Sequence, residues 1–475
     1  MIDFGLLKDV WIQLVATFLG TLLCLANGMA YGWTSPMIPY FTSPESHIPI
    51  THAEGDWFET LIFVGAACGL PGTVFVVDFF GRRGSTILAA VLCAVCWLMT
   101  LFGTHIYVIY AARFFFGMGG NMCFISVPMY IAEIADSRIR GFLSTCSYLM
   151  MLTGILVVYS TGALLPYYVA PTIGVILSVC EFVFFPFMPE SPYYYLHKGQ
   201  EEKAKKALQR LRTDPVKTEQ EFREIKKAIE RQLMERGRPR DLFEIPSNRK
   251  GVLISLLLNT AQHFIGISVM LMNVHIILQD AGSIYMSPST AAIIFAVTML
   301  IGACIASTII DRFGRKFLII TSAVATGIAL VILATYFQIK NTGYDVSGVS
   351  WIPLACVMTY AATFKTGMGI VPIVIVGEIF PTTVKAMGMT LADVFYVIAG
   401  IASLNIFSWT FETFGMQVPM YLFSLCSFTA AVSVYFYIPE TKGKTLDEIQ
   451  LMLKGHSEVE EKLSCEDVTR NNVVV

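Results

Sequence analysis

The chain has 475 residues, of which 55% are hydrophobic and 14% charged, with a formal net charge of -2. An average soluble domain carries about 25% charged residues, so this balance excludes an ordinary water-soluble fold. The slight negative charge also excludes a nucleic-acid partner, whose binding requires a clustered basic surface.

The apolar residues fall into blocks. About 20 helical residues cross a hydrocarbon core of about 30 Å, and uncharged runs at least that long occupy Trp11–Pro44, Gly141–Cys180, Gly251–Gln279, Ala281–Ile310, Phe317–Ile339 and Thr413–Pro439. The first is too long for a signal-peptide core and has no small-residue cleavage site, so it reads as a retained helix. Divided at their Pro, Gly and polar breaks, the blocks predict twelve transmembrane helices near 11–33, 58–77, 85–104, 107–131, 142–164, 168–187, 251–279, 289–310, 317–338, 351–376, 387–409 and 419–438. The fold class is therefore an all-α integral membrane protein with the lipid bilayer as its solvent. Cytoplasmic loops carry the excess of Lys and Arg. With both termini cytoplasmic, Lys340 is the basic residue left outside, and Arg113 and Lys365 are those left inside helices.

Eleven cysteines are an odd number, and all but Cys465 lie in apolar segments without repeated spacing, which is packing use rather than a disulfide framework. Cys93 and Cys96 form a CxxC with no second pair, so no metal site is expected. No nucleophile, metal set or phosphate loop stands out, and neither enzymatic activity nor a cofactor is expected.

The chain repeats itself. Asp78-Phe-Phe-Gly-Arg82-Arg83 follows the second helix, and Asp311-Arg-Phe-Gly-Arg315-Lys316 follows the eighth. Glu133 with Arg140 follows the fourth helix, and Glu378 with Lys385 the tenth, an acid and a base seven residues apart in both. Pro189-Glu190-Ser-Pro ends the sixth helix, and Pro439-Glu440-Thr-Lys the twelfth. Three pairs at nearly constant displacement mean two homologous six-helix halves, 1–187 and 251–438, joined by a linker, 188–250, and followed by a cytoplasmic tail, 439–475. Transporters built this way bind solute near the midplane and rock one half against the other. The repeated charges predict a cytoplasmic latch, in which Glu133, Glu190, Glu378 and Glu440 accept hydrogen bonds from Arg82, Arg83, Arg140, Arg315 and Lys385. In the linker, Glu201 to Arg212 and Glu219 to Arg236 read as short helices whose apolar stripe, Leu208, Leu211, Phe222, Ile225, Ile229 and Leu233, predicts a small cytoplasmic bundle.

Ionisable groups within the bilayer are costly enough to be functional suspects. Arg113, near its helix start, is expected to snorkel to the interface. Glu181, Lys365 and Asp393 lie deeper. Lys365, midway along the tenth helix, needs a partner, and Asp393 on the eleventh is the expected one.

The run Pro128-Met-Tyr-Ile-Ala-Glu133 through Arg140-Gly141, with Arg113, Gln262, Gly266-Ile267, Gly377-Glu-Ile-Phe-Pro381 and the repeated motifs above, resembles the sugar porter family of the major facilitator superfamily over nearly the whole chain. The Pro-Glu-Ser-Pro-Tyr-Tyr ending of helix six is most similar to the insect facilitated trehalose transporter-like branch. The resemblance implies twelve helices in two bundles and facilitative transport of a small sugar, such as trehalose or a hexose, across the cell membrane. It implies a solute cavity at Tyr148, Gln262, His263, Ser268, Ile373 and Tyr396, where only Gln262 keeps the family's residue. Proton-coupled relatives carry an aspartate on helix one. Here Asn27-Gly-Met-Ala-Tyr-Gly32 has no acid, so uncoupled uniport is expected. Two other readings remain open: Lys365 and His263 suit an anionic or non-sugar solute, and a non-transporting sensor of the same fold would be expected to carry a longer tail.

Overall fold

The computed structural model of the chain describes residues 4–136, 139–212, 214–234, 238–381, 383–442, 444 and 446–454. Within a bilayer every backbone N–H and C=O must be satisfied inside the segment, so uninterrupted apolar blocks become helices. The described residues are α-helical almost throughout: α1 (Phe4–Gly32), α2 (Thr34–Phe41), α3 (His52–Phe102), α4 (Ile106–Ile134), α5 (Arg140–Leu164), α6 (Val169–Phe184), α7 (Pro192–His197), α8 (Glu201–Leu211), α9 (Pro215–Met234), α10 (Asp241–Glu244), α11 (Pro246–Phe264), α12 (Ile267–Ala281), α13 (Pro288–Phe313), α14 (Arg315–Asn341), α15 (Ile352–Thr366), α16 (Val371–Ile379), α17 (Lys385–Phe414), α18 (Gln417–Tyr437) and α19 (Leu446–Lys454).

Among the described residues, eleven apolar helical stretches are long enough to cross a membrane, and one of them, Ala53–Phe102, is 50 residues long. At 1.5 Å per residue that is about 75 Å, room for two crossings. The reversal falls at Gly81, whose φ of 81° and ψ of -177° interrupt α3. Counted this way the spans number twelve. Three of them are broken. The first bends between α1 and α2, the seventh between α11 and α12 at Gly266 (φ 93°), and the tenth between α15 and α16 at Gly367–Ile370. Broken helices expose backbone groups at membrane depth, which transporters use to line a solute path.

The spans form two six-helix bundles. In the first, α1 packs on α5 through Gly28, which faces the Met151 carbonyl, and Gly154, which faces the Leu25 carbonyl, and a Cβ at either would overlap the opposing backbone. Close backbone approach through small residues is how helices associate where lipid leaves no hydrophobic drive between them. The outer belt is apolar and exposed, with Phe18, Phe75, Ile176, Ile301, Leu425 and Val432 among its larger members.

Between the bundles, α8 and α9 fold back on α7. Leu208, Phe222, Ile225 and Ile229 of the expected stripe pack with Leu196. Leu211 departs from that stripe and is buried with Ala16, Tyr130, Ile134 and Phe185 of the first bundle. It is held there because Gln13 Nε2 donates to its carbonyl at 3.1 Å and Arg212 donates to Ile134 O at 2.9 Å. Helix α9 starts a turn earlier than expected, at Pro215, a residue whose fixed φ suits a first helical position. Arg236 and the Leu233 side chain lie outside the described residues.

Candidate functional site

At the end where the basic loops gather, each bundle carries a clamp built on a glycine turn. In the first, the positive φ of Gly81 presents two successive amides, and Glu190 accepts from Arg82 N at 3.1 Å, Arg83 N at 3.0 Å and Ser191 N at 2.9 Å. The Arg82 side chain reaches Glu133 through Nε at 3.0 Å and Nη2 at 2.9 Å, and Ser191 Oγ donates to the other Glu133 oxygen. Arg83 Nη1 donates to Met188 O at 3.0 Å. The second bundle repeats the device: beside Gly314 (φ 90°), Glu440 accepts from Arg315 N and Lys316 N at 3.0 Å each, and Arg315 Nη2 meets Glu378 at 3.2 Å.

The clamps differ in electrostatics. Glu190 is buried, and desolvation pushes its carboxyl above the usual range despite the amides. Burial pushes Glu440 up too, but there the amides of Lys442, Arg315 and Lys316 outweigh it and hold the group below its ordinary value. A depressed folded value stabilises the ionised clamp at neutral pH, and that contribution is lost as pH falls through it.

These contacts tie each bundle to itself rather than one bundle to the other, which corrects the expected latch. Arg140 donates to Ala135 O at 3.3 Å. Lys385 makes no hydrogen bond or ion pair among the described residues, and neither does Asp78, which is exposed. The Asp311 side chain lies outside the described residues. The physical reason is local: a glycine turn fixes two amide donors beside each carboxylate, while a partner on the other bundle must be reached by ordering a long side chain.

The turn glycines are testable. A Cβ on Gly81 would lie 2.5 Å from Glu190 Oε2, and one on Gly314 2.8 Å from Glu440 Oε2, whereas one on Gly377 meets nothing within 4 Å. Gly81→Ala and Gly314→Ala are each expected to cost about 1 to 3 kcal/mol through backbone strain alone, with a lowered Tm in detergent that Gly377→Ala does not show. Equal Tm for all three variants would remove the turn from the account.

Midway along the spans, side chains from both bundles meet. Lys365 Nζ, on α15, donates to Tyr148 OH on α5 at 2.6 Å and sits 5.1 Å from that ring's centroid. Gln262 Nε2 donates to Met368 O at 2.7 Å, in the break between α15 and α16, which leaves its buried Oε1 without a partner. His263 Nδ1 and Ser268 Oγ are 2.9 Å apart, and Ser268 Oγ is 3.1 Å from Tyr31 OH on the first bundle. His263 Nε2 is buried and unpartnered, and the Tyr396 ring lies 4.1 Å from the imidazole centroid. Tyr148, Gln262, His263, Ser268 and Tyr396 are thus brought together. Ile373 is not among them: it is 57% exposed on α16.

The expected ion pair of Lys365 with Asp393 is absent among the described residues, where Asp393 has neither hydrogen bond nor ion pair. Helix α15 packs with α13 and α14, while α17, which carries Asp393, packs with α11 and α18. The tenth span meets α17 through α16 rather than through the α15 segment that carries Lys365. Glu181 is fully buried in α6, and neither of its oxygens has a hydrogen bond within normal geometry among the described residues.

Toward the opposite end the bundles are bridged again. Ser35 Oγ lies 2.7 Å from His275 Nδ1, Tyr159 OH donates to Leu271 O, and Asn273 Nδ2 donates to Glu59 Oε2 at 2.9 Å. Arg113 is 1% exposed and does not snorkel. Its Nε donates to Phe58 O at 3.0 Å, its Nη1 to Ala30 O at 2.5 Å and its Nη2 to Thr34 Oγ1 at 3.4 Å. The break after α1 frees the last carbonyls of that helix, and the inward guanidinium takes that of Ala30. Sequence reasoning missed Glu59, Asn273, His275, Tyr31 and Tyr159. For Glu59 there was a signal, an acid two turns inside a helix capped by Thr51.

A family model described as "Sugar (and other) transporter" matches residues 13–453. Among curated proteins, the facilitated trehalose transporter Tret1 of Drosophila mojavensis is 29% identical over 453 residues, covering 94% of this chain and 52% of that protein, so the chain spans about half its length. Tret1 of Polypedilum vanderplanki is also 29% identical over 453 residues, covering 94% of this chain and 89% of that one. Among solved structures, the inward open conformation of the xylose transporter XylE from E. coli aligns with a TM-score of 0.76 at 22% identity, covering 93% of this chain and 99% of that one. The proton:xylose symporter XylE bound to 6-bromo-6-deoxy-D-glucose aligns with a TM-score of 0.72 at 22% identity, covering 93% and 98%. These structures agree with the two-bundle fold, and the chain belongs to the sugar transporter family of membrane proteins.

Proposed function

We propose that this chain carries a small sugar, trehalose or a hexose, down its concentration gradient by alternating access. The observation that carries this is the cluster at mid-membrane. Gln262 Oε1 and His263 Nε2 are buried without partners among the described residues, the Tyr396 ring lies against His263, and the Tyr148 ring against Lys365. A buried polar atom left unmatched costs about 1 to 3 kcal/mol, and a sugar hydroxyl entering the space would satisfy it. The sugar's apolar ring face would rest on the aromatic rings.

In this reading the chain divides into two transport halves, 1–187 and 251–438, a linker at 188–250 and a tail at 439–475. The basic loops, and with them both termini, face the cytoplasm of a cell whose outer membrane holds the protein. The clamps at Glu190 and Glu440 keep each half rigid while the bridges at Tyr31, Ser35, Glu59 and Tyr159 make and break.

Transport is expected to be uncoupled. Asn27 occupies the first-helix neighbourhood where proton-coupled relatives carry an acid, and its Nδ2 donates to Leu23 O at 2.9 Å. The test is uptake into proteoliposomes over a panel of mono- and disaccharides, with and without an inward proton gradient. The expected result is equilibration of at least one sugar regardless of the gradient. Accumulation above equilibrium that a protonophore abolishes would overturn the uniport reading.

A further inference from the structure

Of the buried cations, Arg82 is matched by Glu133, and Arg113 by three oxygen acceptors. Lys365 is different. Its side chain is 96% buried, at 4% exposure, yet its ammonium has one hydroxyl partner, Tyr148, and no carboxylate among the described residues. An ammonium has three donors, so two are left to fill in surroundings of low dielectric. Burying such a charge is costly unless it is both hydrogen-bonded and paired.

The position of this unfilled charge points to what fills it. Lys365 lies three residues before Met368, whose carbonyl holds Gln262, and four before Gly369, whose carbonyl takes Tyr148 OH at 3.5 Å. The ammonium therefore shares one helix break with the unmatched amide oxygen of Gln262, where the two bundles face each other.

We propose that the chain also takes a solute bearing an anionic group, a carboxylate on a sugar of hexose size, and that this group binds Lys365. The proposal rests on the sugar-transport reading and extends it to acidic sugars. The carboxylate accepts the two remaining ammonium hydrogens in charge-assisted bonds, while Gln262 and His263 take ring hydroxyls. Lys365 and Tyr148 belong to different bundles, so their bond ties the halves in the empty state. The carboxylate's charge draws the ammonium toward the solute and so weakens that tie, which links occupancy to rocking.

The experiment uses the full chain in proteoliposomes with labelled glucose, trehalose and glucuronate, for the wild type, Lys365→Met and Lys365→Arg, with folded yield followed by size-exclusion profile. Glucuronate is expected to enter the wild type and to compete with any neutral sugar carried. Lys365→Met should lower glucuronate uptake roughly tenfold more than neutral-sugar uptake, and Lys365→Arg should retain much of it, because charge pairing at a recognition site discriminates between ligands. If glucose or trehalose enters while glucuronate neither enters nor competes, the inference is overturned and sugar transport stands. Entry of none of the sugars overturns the transport reading and this inference with it. Equal loss of acidic and neutral uptake in a well-folded Lys365→Met also overturns it, and if that variant misfolds, the wild-type competition and Lys365→Arg decide.

Discussion

Replacing Arg113 with methionine is expected to remove most of the folded protein from a membrane preparation. The guanidinium fills the Phe58 and Ala30 carbonyls and the Thr34 hydroxyl, and its charge stands 5.3 Å from the Trp33 ring centroid. Methionine keeps an unbranched apolar stem and supplies none of the donors. Three acceptors on residues no more than 1% exposed then lose this donor, and Glu59 loses the positive charge acting on it. Breaking one side of a buried polar arrangement of this kind costs about 3 to 5 kcal/mol, a large part of the 5 to 15 kcal/mol that holds a typical domain. Lysine should rescue only in part, because a point ammonium cannot reach three divergent acceptors as a planar fork does. Adding Glu59→Gln to Arg113→Met should recover some yield, since one stranded charge is gone. The measurement is monodisperse yield and Tm in detergent. A wild-type Tm for Arg113→Met would show that the network carries no stability.

How much of this could be read in the sequence depended on how local the determinant was. The turns at Gly81 and Gly314, with their carboxylates Glu190 and Glu440, recur at nearly constant spacing because a two-amide turn is specified by adjacent residues. The twelve spans were legible for the same reason: apolar length is a property of a short window. What failed required knowing which helices touch. Lys365 and Asp393 looked like partners because helices ten and eleven are consecutive, but α15 packs away from α17. Ile373 was carried to the cavity by an aligned position, beyond the helix break at Gly367–Ile370, where no local pattern says what its side chain meets. Leu211 shares the periodicity of its helix, yet Gln13 and Ile134 on the first bundle decide which surface covers it. The Glu59–Asn273 bond joins residues 214 positions apart, a pairing that no local window holds.

That bond carries the second large expectation. Glu59 is 3% exposed, and its one hydrogen-bond donor across the bundles is the Asn273 amide at 2.9 Å, while its other oxygen already lacks a partner. Asn273→Leu keeps the size of the side chain and removes the donor. A buried carboxylate with no donor is strongly disfavoured, by about 3 kcal/mol or more. The transporter can escape that cost without unfolding, because parting the bundles at this end lets water reach Glu59. About 3 kcal/mol of bias shifts a two-state population by more than a hundredfold, so a molecule that rests closed at this end should rest open. Spin labels at cysteines replacing exposed Glu45 and Tyr285, one on each bundle, read the change as a distance distribution, with exposed Cys68 and Cys304 replaced by serine. The wild type should give a short, narrow distance and Asn273→Leu a longer one. Glu59→Gln in the same background should restore the short distance, since an amide costs far less to bury than a carboxylate. An unchanged distance in folded Asn273→Leu would mean that Ser35, His275 and Tyr159 close this end by themselves and that Glu59 is a passenger there.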